Sequence, residues 1–125
     1  MQPLKSMVGD VESAVTSGED SQRIEILRKV TDLFVEQAPA LKDEHVGVYD
    51  EVILRLAHKI EFRARVELAE RLAGLANAPV STVRHLAFDE KAEVAAPVIE
   101  RSPRLSEDDL VHIAPAKTGQ GFAAR

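Results

Sequence analysis

Phe34-Val35-Glu36-Gln37-Ala38-Pro39-Ala40-Leu41-Lys42-Asp43-Glu44-His45-Val46 and Val98-Ile99-Glu100-Arg101-Ser102-Pro103-Arg104-Leu105-Ser106-Glu107-Asp108-Asp109-Leu110, 64 positions apart, follow one plan. Glu36, Pro39 and Leu41 recur as Glu100, Pro103 and Leu105. The paired apolar residues, the small residue before proline and the two following acids keep their character. Proline stops one helix because it lacks an N–H and its ring collides with the preceding turn. Leucine plugs the turn into the core, and the acids open the returning helix by meeting its positive dipole end. Ala78-Pro79 repeats the stop without the leucine or the acids. Helix pairs joined by tight proline turns and set side by side make an α-solenoid of the HEAT or armadillo kind. The expectation is an all-α fold in which antiparallel helix pairs stack in that way.

Outward from this repeat, helical periodicity dominates and period-2 alternation is almost absent. Leu4, Val8, Val11 and Val15 form the stripe of a first helix, broken at Ser17-Gly18-Glu19-Asp20-Ser21. Gly18 suits a C-cap there, and Asp20 or Ser21 the next N-cap. A second helix carries Ile24, Leu27, Val30, Leu33 and Phe34, and stops at Ala38-Pro39. A third, opened by Asp43 and Glu44, carries Val46, Tyr49, Val52, Ile53, Leu56 and Ile60. Residues 61–76 form a fourth, with Val66, Ala69, Leu72 and Ala73 on one side and Glu67 and Arg71 spaced for a helix ion pair. Val80–Phe88, Ala92–Arg101 and Ser106–Lys117 complete six to seven helices. Ser106 and Asp109 stand in the relation of a capping box. Pro97 is expected in the first turn of its helix, and Pro115 at a kink or end of the last. The repeat domain is expected to fill residues 1–117, with 118–125 as a C-terminal tail or truncation point.

The 125 residues are 45% hydrophobic and 30% charged, the balance of one globular domain. No cysteine is present, which removes disulfides, thiol catalysis and cysteine-ligated metal. A net charge of −5 with interleaved signs argues against general nucleic-acid binding. Apolar runs are far shorter than the roughly 20 residues that cross a bilayer, and no secretory leader opens the chain. The expected location is cytoplasmic.

Motifs that carry chemistry are missing. His45, His58, His85 and His112 offer no i,i+3 or i,i+4 pair for a metal. The acids Glu107, Asp108 and Asp109 are explained by a helix start. Ser17 and Ser81 lack a nucleophile elbow, and Gly119-Gln120-Gly121 is too short for a phosphate loop. No catalytic residue, metal ligand or cofactor is expected.

Thr82-Val83-Arg84-His85-Leu86-Ala87-Phe88-Asp89-Glu90 and the run Glu93 to Ala114, with Ala96-Pro97-Val98-Ile99-Glu100-Arg101-Ser102-Pro103 at its centre, resemble an alphaproteobacterial family, domain of unknown function 2336. Ile26-Leu27-Arg28-Lys29-Val30-Thr31-Asp32-Leu33-Phe34 is similar to that family's N-terminal helix. The resemblance implies a HEAT-like helical domain and brings no catalytic residues. Members of the family usually continue with further helices, so the resemblance implies a fragment or a stack with an uncapped last repeat. Such an end would favour a homo-oligomer.

Function is therefore expected to be protein binding or scaffolding without catalysis. The turn and groove positions Arg84, His85, Arg101, Arg104, Asp108 and His112 are the candidate contacts, with Arg101 and Arg104 also placed for a salt bridge to the neighbouring acids. The partner is expected to be a protein segment such as an amphipathic helix. The alternative is nucleic-acid binding through arginine faces around His58, Lys59, Arg63, Arg65 and Arg71. Glu61, Glu67 and Glu70 interrupt those faces. A hydrolase or metal-dependent enzyme comes last.

Overall fold

The computed structural model describes residues 7–113 apart from Ser17 and Lys59. Leu4, Pro115, the Gly119-Gln120-Gly121 segment and the expected tail lie outside the described residues. Among those described there are seven α-helices and no strand: α1 Val8–Thr16, α2 Asp20–Gln37, α3 Asp43–Ala57, α4 Phe62–Leu72, α5 Val80–Ala87, α6 Ala92–Arg101 and α7 Glu107–His112. A 3-10 turn, Ala38–Ala40, joins α2 to α3. No helix among them is long and apolar enough to cross a membrane.

The repeat sets two helix starts in register. Asp43 opens α3 and Glu107 opens α7, 64 positions on. Pro39 lies within the 3-10 turn, while Pro103 sits in a turn capped by Ser102. Leu105 is buried, as a plug should be, and Leu41 is half-buried. The capping box forms: the Asp109 amide donates to Ser106 Oγ at 3.0 Å, and the Ser106 amide to Asp109 Oδ2 at 3.1 Å.

Some local expectations change. The α1 stripe is Val11 and Ala14, while Val8, the first helical residue, is 50% exposed. Gly18 answers a close approach, because a Cβ there would meet the Ala14 carbonyl oxygen at 2.7 Å. Glu19, not Asp20 or Ser21, is the N-cap of α2. Asp20 instead pairs with Arg23, which also donates to the Gly18 carbonyl. The fourth helix closes at Leu72 and the chain turns through Gly74. Pro97 is well inside α6 rather than in its first turn. The carbonyl it leaves without an amide belongs to Glu93, an exposed residue that water can reach.

The main helix contacts join neighbours or next neighbours along the chain. α1 meets α2 and α3, α2 meets α3, α3 meets α5, α4 meets α5 and α6, and α5 meets α6. One apolar cluster runs from Val11 to Ile113. Its largest fully buried members include Phe34, Ile53, Leu56, Leu72, Leu86 and Ile99, drawn from five successive helices. Phe34 meets Tyr49 edge-on, with ring centroids 5.3 Å apart. Burial raises the pKa of the Tyr49 phenol, whose hydroxyl donates to Gln37 Oε1 at 2.9 Å.

Polar links tie the turns together. Asn77 Nδ2, between α4 and α5, donates to the Ala38 carbonyl at 2.6 Å. Arg104 Nε, between α6 and α7, donates to the Ala78 carbonyl at 3.0 Å. Both acceptors immediately precede a proline. At the other ends of these helices, Arg65 donates to the Ile60 carbonyl at 3.0 Å and pairs with Asp89 at 2.7 Å.

Asp50 supplies the strongest link. Its carboxylate accepts from the Ser81 and Thr82 amides, both at 2.8 Å, and from Thr82 Oγ1 at 2.7 Å. The start of α5 is thus capped by a side chain from α3, since Pro79 at its own N-cap has none to offer. Asp50→Ala should cost about 2–3 kcal/mol in urea unfolding, because it removes a cap and leaves buried amides unpaired. Asp50→Asn should retain part of that stability.

Candidate functional site

Between α2 and α4 a shallow surface groove is left over a buried floor. Its floor is apolar: Ile24 and Leu27 from α2 face Ala64 and Leu68 from α4. Both pairs follow helical spacing, so one stripe of each helix lines the groove.

The rim is charged and internally paired. Arg28 grips Glu67 with two bonds, Nε to Oε2 at 3.0 Å and Nη2 to Oε1 at 2.9 Å. One turn further on, Arg71 pairs with Asp32 at 2.8 Å. The expected Glu67–Arg71 pair within α4 is therefore replaced by two bridges to α2. The reason is that α2 presents Arg28 and Asp32 at the same four-residue spacing with reversed signs, and a bidentate guanidinium–carboxylate pair outcompetes a stretched intrahelical one. The hydrogen bond to Arg28 holds the Glu67 carboxyl below its ordinary pKa against a smaller push from burial. These side chains are substantially solvated, so each bridge contributes at most about 1 kcal/mol.

Thr31 stands at the base of this groove, 1% exposed, and its Oγ1 has no hydrogen-bond partner. A helical threonine commonly bonds back to a carbonyl of the preceding turn. Here one hydroxyl is left buried and unpaired beneath an apolar floor. The enclosed space, about 10 Å³, falls far short of the roughly 300–1,000 Å³ that encloses a drug-sized ligand or cofactor and is room for about one water molecule.

The residues expected to contact a partner do not converge on this groove. Arg84 Nε pairs with Asp109 Oδ1 at 2.9 Å, joining α5 to α7. Burial pushes the Asp109 carboxyl up, but the Ser106 amide and hydroxyl and then Arg84 outweigh it and lower its pKa. Arg104 is committed to the Ala78 carbonyl, so the salt bridge expected for it with the acids is replaced by a turn-to-turn bond. Arg101 is exposed and has no ion pair among the described residues. Asp108 is exposed, and its carbonyl accepts from His112 Nδ1 at 2.7 Å. His85 lies apart from these, against His58 with ring centroids 4.6 Å apart.

The basic cluster is also partly spent within the fold, Arg65 on Asp89 and Arg71 on Asp32. No group of three or more His, Asp or Glu among the described residues is placed to hold a metal ion. Thr31 and Asp50 escaped the sequence reading. Asp50 did leave a signal: an acid three residues before Ile53 and four after Val46 lies beside the apolar stripe.

Thr31→Val should leave thermal stability unchanged or raise it by up to about 1 kcal/mol, since it removes a buried hydroxyl without a partner. A loss above that range would mean that the hydroxyl is bonded in solution. The Asp109 contribution depends on pH in the acid range. It is complete above the ordinary aspartate value of 3.8 and lost as pH falls through the lower folded value. Amide exchange in α7 should accelerate over that acid window, and the acceleration should shrink in Asp109→Asn.

Compared with known proteins, the chain matches no family model, no curated sequence and no solved structure.

Proposed function

We propose that this chain is a non-enzymatic protein-binding module, a short α-solenoid of the HEAT/armadillo kind that serves as a cytoplasmic scaffold. The surface along its α2/α4 groove receives the apolar face of an amphipathic helix of a partner protein. The observation that carries the reading is the groove itself: an apolar floor, an unpartnered Thr31 hydroxyl and a rim whose charges are already paired. A neutralised rim neither attracts nor repels a polyanion strongly, which favours a peptide over nucleic acid. Helix-in-groove recognition uses anchors at i, i+3 or i+4. The rim pairs Arg28/Asp32 and Glu67/Arg71 mark out that same interval.

The solenoid part of the proposal is supported by main helix contacts that link neighbours and next neighbours, and by the pre-proline carbonyls of Ala38 and Ala78. In each case a side chain of the following turn satisfies the carbonyl, as a repeated unit would. The resemblance to domain of unknown function 2336 agrees with a helical repeat and assigns no reaction.

A photo-crosslinking residue at exposed Arg28 should capture a specific protein in the native cell, whereas one at exposed Val48 should not. Ile24→Glu should abolish that capture while leaving the circular dichroism spectrum unchanged. Equal capture at both positions, capture of nucleic acid, or capture that survives Ile24→Glu would overturn the proposal.

A further inference from the structure

His58 is the C-cap of α3, and its amide donates to the Leu54 carbonyl at 3.2 Å. His85 is in the last turn of α5. The fold brings together these rings, 27 positions apart in the chain, with centroids 4.6 Å apart and planes tilted by 56°. Arg65 of α4 makes a parallel connection. Its guanidinium donates to the Ile60 carbonyl in the α3–α4 turn and pairs with Asp89 in the α5–α6 turn. Two contacts therefore join the same two turns, one ionic and one made of imidazoles.

We propose that the His58–His85 contact, backed by Arg65, is a pH-sensitive clasp between the α3–α4 and α5–α6 turns, closed when the rings are neutral and released when they are charged. Neutral rings can lie in contact at this distance. Charged rings repel each other, and both then add to the positive charge of Arg65. The carboxylate that acts on His85 is Asp89, and it is committed. Asp89 Oδ2 holds Arg65 at 2.7 Å, and Oδ1 accepts from the Lys91 amide at 2.9 Å. On α6, which packs against α5, the acids Glu93 and Glu100 are exposed.

The electrostatics of His85 run the same way. Burial lowers its pKa most, His58 and Arg65 lower it further, and Asp89 opposes them only in part. The folded chain therefore takes up this proton less readily than the unfolded chain. Stability from the clasp is complete above the ordinary histidine value of 6.5 and is lost as pH falls from there towards the lower folded value. This is a mildly acidic window, well above the one in which Asp109 is protonated. The clasp requires no partner, so it stands independently of the groove.

The test is NMR titration of the histidine rings in the full chain, together with thermal unfolding between pH 7.5 and 5.5. The His85 ring should titrate below pH 6.5, and its midpoint should move up in His58→Gln. Wild type should lose about 3 °C or more in Tm beyond the loss shown by His85→Gln over the same range. His58 is exposed, so His58→Gln provides the comparison even where His85→Gln fails to fold. A His85 midpoint at or above 6.5, a midpoint unmoved by His58→Gln, or equal Tm losses in wild type and His85→Gln would overturn the clasp.

Discussion

The carboxylate of Asp50 satisfies the beginning of a helix to which it does not belong. Five consecutive helices, α2 to α6, begin at N-cap residues that make no side-chain capping bond. In isolation such helices are marginal, because the amides of the first turn have no intrahelical partner. At α5 those amides are met from α3, and the carbonyl that precedes Pro79 is met by Arg104 from the α6–α7 turn. The first turn of this eight-residue helix is thus completed from both sides along the chain. α7 differs, because Ser106 and Asp109 cap it locally. It is also the shortest helix among those described, with six residues, and a self-contained cap suits an element with little surface to bury.

Side-chain size explains how closely the rest can approach. Ala57, Ala64, Ala69, Ala73, Ala87 and Ala95 are buried on or at the ends of four successive helices, α3 to α6, and most leave no accessible surface at all. Alanine carries no side-chain entropy cost in a helix and lets backbones come near. Bulk is concentrated in Phe34, Ile53, Leu56, Leu72, Leu86 and Ile99, spaced along the cluster rather than gathered at one centre. Low aromatic content therefore follows from the packing. Phe62 and Phe88, both at helix ends, remain over a third exposed.

Legibility in the sequence divides by distance along the chain. The two proline turns, the acids at Asp43 and Glu107 and the Ser106–Asp109 box are local features, and local chemistry places all of them. Pro97 defeats that reasoning because tertiary burial of Val94, Ala95, Val98 and Ile99 holds the helix together through the missing bond. Glu67 and Arg71 defeat it because each finds a better partner on α2, 39 residues away along the chain in each case. Asp50, Thr31 and the His58–His85 contact depend wholly on which helix lies opposite, and periodicity is silent on that point. The candidate groove depends on the same pairing: Ile24 and Leu27 belong to the α2 stripe legible in the sequence, but Ala64 and Leu68 lie outside the stripe expected for α4, which is Val66, Ala69, Leu72 and Ala73.

The groove can be traced to a difference between two helix pairs. α4 packs closely on α6, where Val94, Ala95, Val98 and Ile99 present short side chains and no charge. Towards α2, the same helix presents Glu67 and Arg71, long groups that meet Arg28 and Asp32. Guanidinium and carboxylate pairs span between the two helices above the apolar floor. The groove cannot close without burying charge, which costs more than the apolar contact would return. The bridges therefore lie as a charged cover over this floor, with Leu27 and Leu68 buried beneath them, Ile24 half-buried beside them and the Thr31 hydroxyl as the polar group at the base.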